Sequence, residues 1–455
     1  MPSSGTQELT LQQAFDLAVS RHNAGDLAEA ENLYRQILAI DPDQPKAHFN
    51  LGLVLKGLGR PTDAAESYRA ALALDPEYSE ALSNLGNVLV DTGEPEEAVA
   101  CYRKAIVLSP DFAEAHNNLG KALMDLGEYD EAGDHYDQAL ALRPGYDNAE
   151  YNRSLLLLLQ GDFIKGWAGY QKRLVTGSPL ALPDRGWPQP IWDGSDINGK
   201  TILLYEEQGI GDSIQFIRFA KTLSDAGAKV VVEIQPDLKT LLATAPGIDE
   251  VFSPPEPVPD FDVRAPLMSL PCLLGTGLDT IPADVPYLSN AGDAFVLPEP
   301  GQVNIGLVWA GNPEHRNDRN RSIDVACFNP VLEVPDTRFY GLQVGAAADN
   351  PTGAGLGDAI TNLGPDLVNF RVTAAAIEAL DLVISVDTSV AHLAGALGKP
   401  VWLLLPNVPD FRWMLERTDS PWYPSMRIFR QSAPGDWDSV MEDVAARLKI
   451  GPENF

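Results

Sequence analysis

The 455-residue sequence is 45% hydrophobic, enough to form several cores, and its formal net charge at pH 7 is −31. This charge argues against a nucleic-acid or anionic-membrane partner, because binding to phosphate groups needs a basic surface. The three cysteines are far apart and odd in number, which predicts neither a disulfide framework nor a paired metal site. No apolar stretch is long enough to span a bilayer, and the first residues lack a signal-peptide pattern. We therefore expect a cytoplasmic protein with about three domains.

The first third of the chain repeats with a period of 34 residues. Proline recurs at 42, 76, 110 and 144, glycine at 25, 59, 93, 127 and 161, and tyrosine at 34, 68, 102, 136 and 170. This is the tetratricopeptide pattern of paired helices, in which glycine marks the turn between helices A and B, tyrosine packs between repeats and proline ends helix B. We predict an α-helical solenoid of five units over residues 1–175.

Asparagine keeps the same period on the predicted A helices, at Asn50, Asn84, Asn118 and Asn152. Because A helices line the concave face of such a solenoid, a ladder of amides there would hydrogen-bond the backbone of an extended peptide. The ladder resembles that in the solenoid of eukaryotic O-linked N-acetylglucosamine transferase. Two alternatives stay open, namely that the asparagines recur only because repeats are copied, or that each bonds a neighbouring helix.

Alternating strands and helices follow a linker (176–199) that is dense in glycine, proline and tryptophan. We predict a strand at 201–205, a helix at 213–226, a strand at 229–234 and a helix at 237–245, and irregular structure over 263–288. Gly209 and Gly211 precede the first helix, but the third glycine of a dinucleotide fingerprint is absent. Asp212 would either take a proton from an attacking hydroxyl or satisfy the helix dipole.

A second α/β half follows a predicted hinge at 291–302. We predict strands at 303–309 and 338–344, a helix at 373–380, and a closing helix at 440–448 with Ser439 as its cap. The loop after the first of these strands contains Arg316, Arg319 and Arg321. These arginines would either pair with phosphate groups or form a solvated charged loop.

The most informative part of this half is 382–405, which predicts a buried strand, a tight turn, a helix at 390–397 and a strand at 401–405. Asp387 and Thr388 are N-cap residue types at the end of the first strand. A helix that begins there offers free N–H groups to an anion, so we predict a phosphate site, with an ordinary capped βαβ unit as the alternative. His392 would contact the ligand or pack in the core. The aromatic segment 410–424 would cover the site or pack as a loop.

Three segments resemble bacterial tetratricopeptide-linked glycosyltransferases, whose catalytic region is similar to that of lipopolysaccharide heptosyltransferases. They are Tyr-Glu-Glu-Gln-Gly-Ile-Gly-Asp-Ser-Ile-Gln-Phe (205–216), Gly-Leu-Val-Trp-Ala-Gly-Asn (306–312) and Ser-Val-Asp-Thr-Ser-Val-Ala-His-Leu-Ala (385–394). The resemblance covers residues 200–445. It implies two Rossmann-like domains that face a cleft (the GT-B layout), with a linker and acceptor-side domain at 176–298 and a nucleotide-sugar domain at 299–455.

The resemblance also implies an activity, namely inverting, metal-independent transfer of a sugar from a nucleotide-sugar to a hydroxyl, without a cofactor. The acceptor would be Ser or Thr of a protein held by the repeats, for example flagellin or a surface protein. Asp212 is implied to be the catalytic base. The implied donor-binding residues are Gly209, Gly211, Trp309, Gly311, Asn312, Arg321, Asp387, Thr388, Ser389 and His392.

The chain departs from heptosyltransferases at two of these positions. Arg321 stands where they have a lysine, and Ser389-Val390 stands where they usually have Gly-Pro or Ser-Pro. The resemblance therefore does not identify the donor sugar as heptose. The alternative function is that of a peptide-binding adaptor whose α/β region binds nucleotide without transfer.

Overall fold

The computed structural model describes residues 9–175, 185–290, 292, 294–315 and 317–451. Residues 176–184 of the predicted linker (176–199) and Arg316 lie outside the described residues. The chain divides into two compact units, Met1–Leu156 and Leu157–Phe455. The predicted solenoid extends beyond the first unit to residue 175, whereas the predicted limit between the α/β halves lies inside the second unit.

The first unit consists of stacked helix pairs. Its helices are α1 (Leu11–Asn23), α2 (Leu27–Ile40), α3 (Pro45–Gly57), α4 (Pro61–Leu74), α5 (Ser79–Thr92), α6 (Pro95–Leu108), α7 (Ala113–Leu126), α8 (Tyr129–Leu142) and the start of α9 (Asp147–Leu159). Proline occupies the first position of α3, α4 and α6, where a helix needs no N–H donor. Gly93 and Gly127 end α5 and α7 in the left-handed conformation, so both glycines lie at the predicted turns between helices A and B.

Helices A and B approach closely because glycine on one faces tyrosine on the other. A Cβ atom added to Gly86 of α5 would lie 2.6 Å from the ring of Tyr102 on α6, which is buried. Gly52 with Tyr68 and Gly120 with Tyr136 repeat this contact in the neighbouring pairs. Each of these three periodic tyrosines thus fills the space that a periodic glycine leaves on the paired helix.

The second unit contains two sheets in which all neighbouring strands are parallel. The first has the order β3-β2-β1-β4 and the second the order β10-β9-β8-β5-β6-β7. The strands are β1 (Thr201–Tyr205), β2 (Lys229–Glu233), β3 (Glu250–Phe252), β4 (Val263–Pro266), β5 (Val303–Val308), β6 (Thr337–Gly341), β7 (Ile360–Asn362), β8 (Leu382–Val386), β9 (Val401–Leu405) and β10 (Met426–Arg430). The α-helical solenoid followed by parallel α/β structure is as predicted, and the finer GT-B layout stays a prediction.

Helices connect these strands and cover the sheets. They are α10 (Phe163–Tyr170), α11 (Ile210–Phe216), α12 (Phe219–Asp225), α13 (Pro236–Leu242), α14 (Leu270–Leu273), α15 (Asp318–Arg321), α16 (Asn329–Leu332), α17 (Asn350–Gly353), α18 (Phe370–Glu378), α19 (Ser389–Ala396) and α20 (Trp437–Leu448). The core of the larger sheet includes Trp309 and Trp402, which are almost fully buried. No helix among the described residues combines the length and apolarity needed to cross a membrane.

Several predicted elements differ from the structure. The helix predicted at 373–380 begins earlier, at Phe370, and the strand predicted at 338–344 ends earlier, at Gly341. The helix predicted at 213–226 starts earlier, at Ile210, and is interrupted between α11 and α12. The stretch predicted to be irregular contains β4, a four-residue edge strand that ends on proline and so gives a weak sequence signal. Asp436, rather than Ser439, is the N-cap of α20, because its carboxylate accepts the N–H of Ser439.

Helix α10 and the turn after it belong to the core of the second unit. The ring of Trp167 contacts those of Phe216, Phe411 and Trp422 at centroid distances of 5.8 to 6.4 Å. Arg173, with a fully buried side chain, donates two hydrogen bonds of 2.8 Å to the Glu207 carboxylate. The stretch 161–170, which continues the 34-residue period, therefore belongs to the second unit.

Candidate functional site

The helices α11 and α19 are in direct contact, and each follows the carboxyl end of a parallel strand, β1 for α11 and β8 for α19. Gly211 makes this contact possible, because a Cβ atom there would lie 2.9 Å from Cδ2 of His392 and 3.6 Å from Cα of Ser389. Residues of two predicted motifs are thus brought together, since Ser389 and His392 come 178 and 181 positions after Gly211. The carboxyl ends of parallel strands are where α/β proteins bind their ligands.

Asp212 lies in the first turn of α11, and its side chain is 17% exposed. Its Oδ2 accepts the N–H of Gly209 at 2.8 Å, which closes the N-terminus of the helix. Its Oδ1 accepts a short hydrogen bond from Nη2 of Arg412. The capping role that the sequence left open for Asp212 is therefore present, and the role as a base stays a prediction.

Arg412 is one residue at this site that the sequence interpretation did not single out. Its side chain is 10% exposed, and it also donates to Oε1 of Gln215 at 2.8 Å and to Oδ1 of Asp410 at 2.9 Å. Burial alone would lower the pKa of Arg412, but the carboxylates of Asp410 and Asp212 raise it above its ordinary value. A signal was available, because Asp410 and Arg412 follow shortly after β9, at the ligand-binding edge of a parallel sheet.

Asp387 follows β8, and its side chain is 17% exposed. Burial, and next the charge of Asp410, raise the pKa of the Asp387 carboxyl from its ordinary value of 3.8 to about 6. Thr388 is the N-cap of α19 but makes no capping bond, because its hydroxyl lies 3.1 Å from Oγ of Ser385. The Thr388 side chain therefore leaves the first-turn N–H groups of α19 to other partners.

Arg321 belongs to the predicted arginine loop and reaches the same place. Its Nη1 donates to the backbone oxygen of Asp387 at 3.0 Å, and its Nε donates to Oδ1 of Asp318 at 3.1 Å. Gly311 lies against the Asp318 and Arg321 side chains with no room for a Cβ atom. Arg319, in the same loop, is exposed, so the two described arginines of this loop have different environments.

Two predicted donor-binding residues, Trp309 and Asn312, form hydrogen bonds with backbone groups of the protein. The Trp309 side chain is buried in the core of the larger sheet, and its Nε1 donates to the backbone oxygen of Ala347 at 3.2 Å. Trp309 is thus a packing residue in this structure. Asn312 is exposed, and its side chain accepts the N–H of Glu314 at 3.0 Å, which shapes the loop.

His392 lies in the second turn of α19 and is 5% exposed. Its Nδ1 is 2.9 Å from the hydroxyl of Tyr423, its ring stacks on Trp413 at a centroid distance of 5.2 Å, and its Nε2 is 3.9 Å from Oδ1 of Asp387. Burial, and next the positive charge of Arg412, lower the pKa of His392. A neutral imidazole is therefore expected at pH 7, packed on one side and facing Asp387 on the other.

The segment 410–424 forms one wall of this site. Trp413, Trp422 and Tyr423 in it are fully buried, so the aromatic residues pack in the interior. The packed-loop alternative is thus correct for these side chains, while Arg412 of the same segment contacts Asp212. Taken together, the site offers guanidinium groups, helix N–H groups and a neutral imidazole to an anion, and carboxylates that can accept a proton.

The periodic asparagines of the first unit are half-buried and largely bonded within the unit. Nδ2 of Asn118 donates to Oδ1 of Asn87 at 3.0 Å, and Nδ2 of Asn152 donates to Oδ1 of Asn117 at 2.9 Å. Nδ2 of Asn84 instead donates to a backbone oxygen of its own helix. The alternative that the amide bonds a neighbouring helix therefore holds at positions 118 and 152.

The amide of Asn50 lies beside the Tyr34 hydroxyl. Asn87 and Asn117, which complete the amide network, were not predicted, because they do not recur with the 34-residue period.

Models of the tetratricopeptide repeat match residues 15–79, 86–127 and 113–146. The N-terminal region consists of tetratricopeptide repeats. Protein FlbA of Caulobacter vibrioides is 25% identical over an alignment of 335 residues, and the alignment covers 63% of this chain and 52% of FlbA. The chain thus spans about half the length of this relative, and the match, which is longer than the first unit, extends into the second.

Three solved structures that are similar to this chain each cover about a third of it. One is a tetratricopeptide protein of Thermus thermophilus (26% identity, 36% of this chain and 90% of that one, TM-score 0.32). The others are pilF of Pseudomonas aeruginosa (24%, 36% and 74%, TM-score 0.33) and YrrB, described as having an unusual peptide-binding site (22%, 36% and 85%, TM-score 0.32).

Proposed function

We propose that the protein is an inverting, metal-independent glycosyltransferase of the GT-B type, which moves a sugar from a nucleotide-sugar to a protein hydroxyl. The observation that carries this proposal is the contact between α11 and α19. It holds the first turn of α11, which contains Asp212, against the start of α19, which follows Asp387. Transfer needs a proton acceptor beside a site for a diphosphate leaving group. Those are the two roles that the family resemblance assigns to these segments.

The proposed step uses the residues of this site in the following way. The acceptor O–H gives its proton to a carboxylate oxygen of Asp212 while the acceptor oxygen bonds to C1 of the sugar. The bond between C1 and the diphosphate oxygen breaks, and the nucleoside diphosphate leaves with the electron pair. Arg321, the first-turn N–H groups of α19 and the His392 side chain stabilise the charge that develops on it.

The charges of the site favour the binding of an anion when Asp387 is protonated. Two arginines, Arg321 and Arg412, face four carboxylates, those of Asp212, Asp318, Asp387 and Asp410. A bound diphosphate would lie near Asp387, whose pKa is already raised to about 6. Nucleotide affinity is therefore expected to increase as the pH falls through 6.

For the acceptor, we propose an extended segment of a protein, such as flagellin or a surface protein, held by the repeats. Half-exposed amides at Asn50, Asn84, Asn118 and Asn152 would bond the peptide backbone. Since Asn118 and Asn152 already bond other amides, a peptide would use their remaining donors and acceptors.

A second candidate function is favoured by the state of Asp212. One of its oxygens accepts from Arg412 and the other from Gly209, so both are already engaged. An adaptor that binds nucleotide and peptide without transfer would keep this arrangement permanently. A transferase has to give Asp212 access to an acceptor hydroxyl.

Nucleotide binding is tested with a thermal-shift series of UDP, GDP, ADP and CMP. A nucleotide at a hundred times its Kd should stabilise the protein by about 2.7 kcal/mol. We expect a shift with one nucleotide that is lost in Arg321→Ala and kept in Arg319→Ala, the exposed arginine of the same loop. A shift that survives Arg321→Ala would place the phosphates elsewhere.

Transfer is tested with the matching sugar-nucleotide and protein acceptors in the wild type and in Asp212→Asn. The amide oxygen still accepts from Arg412 but cannot take the proton, so we expect transfer to fall by about 10²- to 10⁴-fold with nucleotide affinity nearly unchanged. Asp225→Asn, at an exposed ion pair with Lys221, is the control. Nucleotide and peptide binding by the wild type, without any transfer, would support the adaptor instead.

A further inference from the structure

His392 is held by a residue that no motif in the sequence assigned. The Tyr423 hydroxyl lies 2.9 Å from Nδ1 of His392, and both side chains are buried. Tyr423 comes 31 residues after His392 in the chain, beyond β9, so the contact is built by the fold. Buried hydroxyl and imidazole groups at this distance are fixed relative to each other by the hydrogen bond.

Arg218 holds Tyr423 in place from the side of the first sheet. Its guanidinium stacks on the Tyr423 ring at 4.7 Å and donates to the backbone oxygen of Trp422 at 2.6 Å and to the Tyr287 hydroxyl at 2.9 Å. Arg218 lies immediately after α11 in the turn that leads to α12. The tyrosine is therefore positioned by the segment that carries Asp212.

Two arrangements of protons satisfy the contact between Tyr423 and His392. In the first, the Tyr423 O–H donates to Nδ1, and Nε2 carries the imidazole proton. In the second, Nδ1–H donates to the tyrosine oxygen, and Nε2 has a lone pair. Because Nε2 lies 3.9 Å from Oδ1 of Asp387, only the first arrangement directs an N–H toward that carboxylate. The Arg218 side chain, which covers the tyrosine ring, contains no acceptor for the tyrosine proton. The Tyr287 hydroxyl, which also contacts Tyr423, already accepts from Arg218 and donates to the backbone oxygen of Ile214.

We propose that Tyr423 is a positioning residue that fixes His392 as the Nε2–H tautomer, with this N–H directed to the space beside Asp387 at the start of α19. The imidazole then supplies an uncharged donor in a site where Arg321 and Arg412 supply the charged ones. Gly211, against which the His392 ring packs, sets the position of the ring relative to α11.

This inference rests on the proposed function only for what the N–H binds. If the site holds a nucleoside diphosphate, the Nε2–H group donates to a phosphate oxygen, and the opposite tautomer would place a lone pair against that oxygen. Loss of the Tyr423 hydroxyl should then weaken nucleotide binding without any change of charge in the site.

The tautomer is measured by ¹⁵N NMR of the six histidines in the full-length protein at pH 7, with the His392 signals identified by their loss in His392→Gln. In the wild type, we expect a protonated Nε2 and an unprotonated Nδ1. In Tyr423→Phe, which keeps the ring beneath Arg218, we expect the two neutral tautomers to mix. A protonated Nδ1 or an imidazolium in the wild type would overturn the proposal, and this result needs no variant to fold.

The second measurement uses the nucleotides UDP, GDP, ADP and CMP on the same proteins. We expect Tyr423→Phe to lower the affinity for the nucleotide that binds by roughly fivefold, the effect of one hydrogen bond, while Tyr146→Phe in the repeats leaves it unchanged. An unchanged affinity in Tyr423→Phe would overturn the role in binding. If none of the four nucleotides binds the wild type, the proposed function fails, and the NMR result still decides the tautomer.

Discussion

Arg412 donates a hydrogen bond to the carboxylate of Asp212, a residue 200 positions earlier in the chain. The pair joins the segment that follows β9 to the first turn of α11, so the two parallel sheets share a charged contact. The proposed base, Asp212, is thus held by an arginine that lies outside the motif (205–216) that contains Asp212.

Replacement of Arg412 by methionine should destabilise the protein strongly. The largely buried Asp212 carboxylate would be left without a counter-charge, which typically costs about 3 to 5 kcal/mol, and the more exposed Asp410 would lose its partner as well. Urea denaturation followed by tryptophan fluorescence measures the loss. Arg417→Met is the matched control, because Arg417 pairs with Asp419 at the surface and such pairs contribute about 0 to 1 kcal/mol. Equal losses in the two variants would contradict the assignment.

Asp387→Asn should change how stability depends on pH. Because folding raises the pKa of Asp387 from 3.8 to about 6, the folded protein binds a proton here more tightly than the unfolded chain. This group therefore lowers the free energy of unfolding as pH rises from about 4 to 6, and asparagine removes the loss. We expect the stability of Asp387→Asn relative to wild type to increase by up to about 3 kcal/mol between pH 3.5 and pH 7. A difference that does not vary with pH would show that Asp387 titrates normally.

Gly211→Ala should separate α11 from α19, since the new Cβ atom would lie 2.9 Å from the buried His392 ring. Overpacking of this kind costs about 1 to 3 kcal/mol, measurable by calorimetry. Gly209→Ala is the control two residues earlier, where the added atom would lie 3.4 Å from Oδ2 of Asp212 and the backbone angles suit alanine. The ranking would be refuted if Gly209→Ala lost more stability than Gly211→Ala.

Two glycines in the repeats should respond in opposite directions to alanine. Gly86→Ala places a Cβ atom 2.6 Å from the buried Tyr102 ring and should cost about 1 to 3 kcal/mol. Gly133→Ala, inside α8, meets only Leu156 at 3.4 Å and should stabilise the helix by about 0.5 to 1 kcal/mol. Thermal unfolding followed by circular dichroism reports both. A destabilised Gly133→Ala would mean that this helix face is packed more tightly than the distance implies.

Local patterns predicted the helix pairs and the central strands well. The 34-residue period located the turns at Gly93 and Gly127, and apolar, β-branched runs gave β1, β8 and β9 with their observed ends. These elements are specified by residues close in sequence. The strands β3 and β7, which have three residues each, are too short for such a pattern and depend on pairing with a neighbour.

The candidate site was predictable only in part, for the same reason. Asp212, Asp387 and His392 belong to motifs that follow strands, and the structure brings them together. Arg412 and Tyr423 act through contacts with residues 200 and 31 positions away, which no local pattern reveals. Trp309 lies in a motif, directly after β5, yet packs in the core, because a side chain at the end of a strand can point to either face of the sheet.

The placement of α10 has a practical consequence for making the α/β part alone. A truncated protein that began at residue 176, after the last repeat-like sequence, would lose Trp167 from an aromatic cluster and Arg173 from its buried pair with Glu207. Glu207 would then be a buried carboxylate without its cation, a few residues before Asp212. An expression boundary for this part therefore belongs before Leu157, and protein cut at 176 would be destabilised for reasons unrelated to the proposed chemistry.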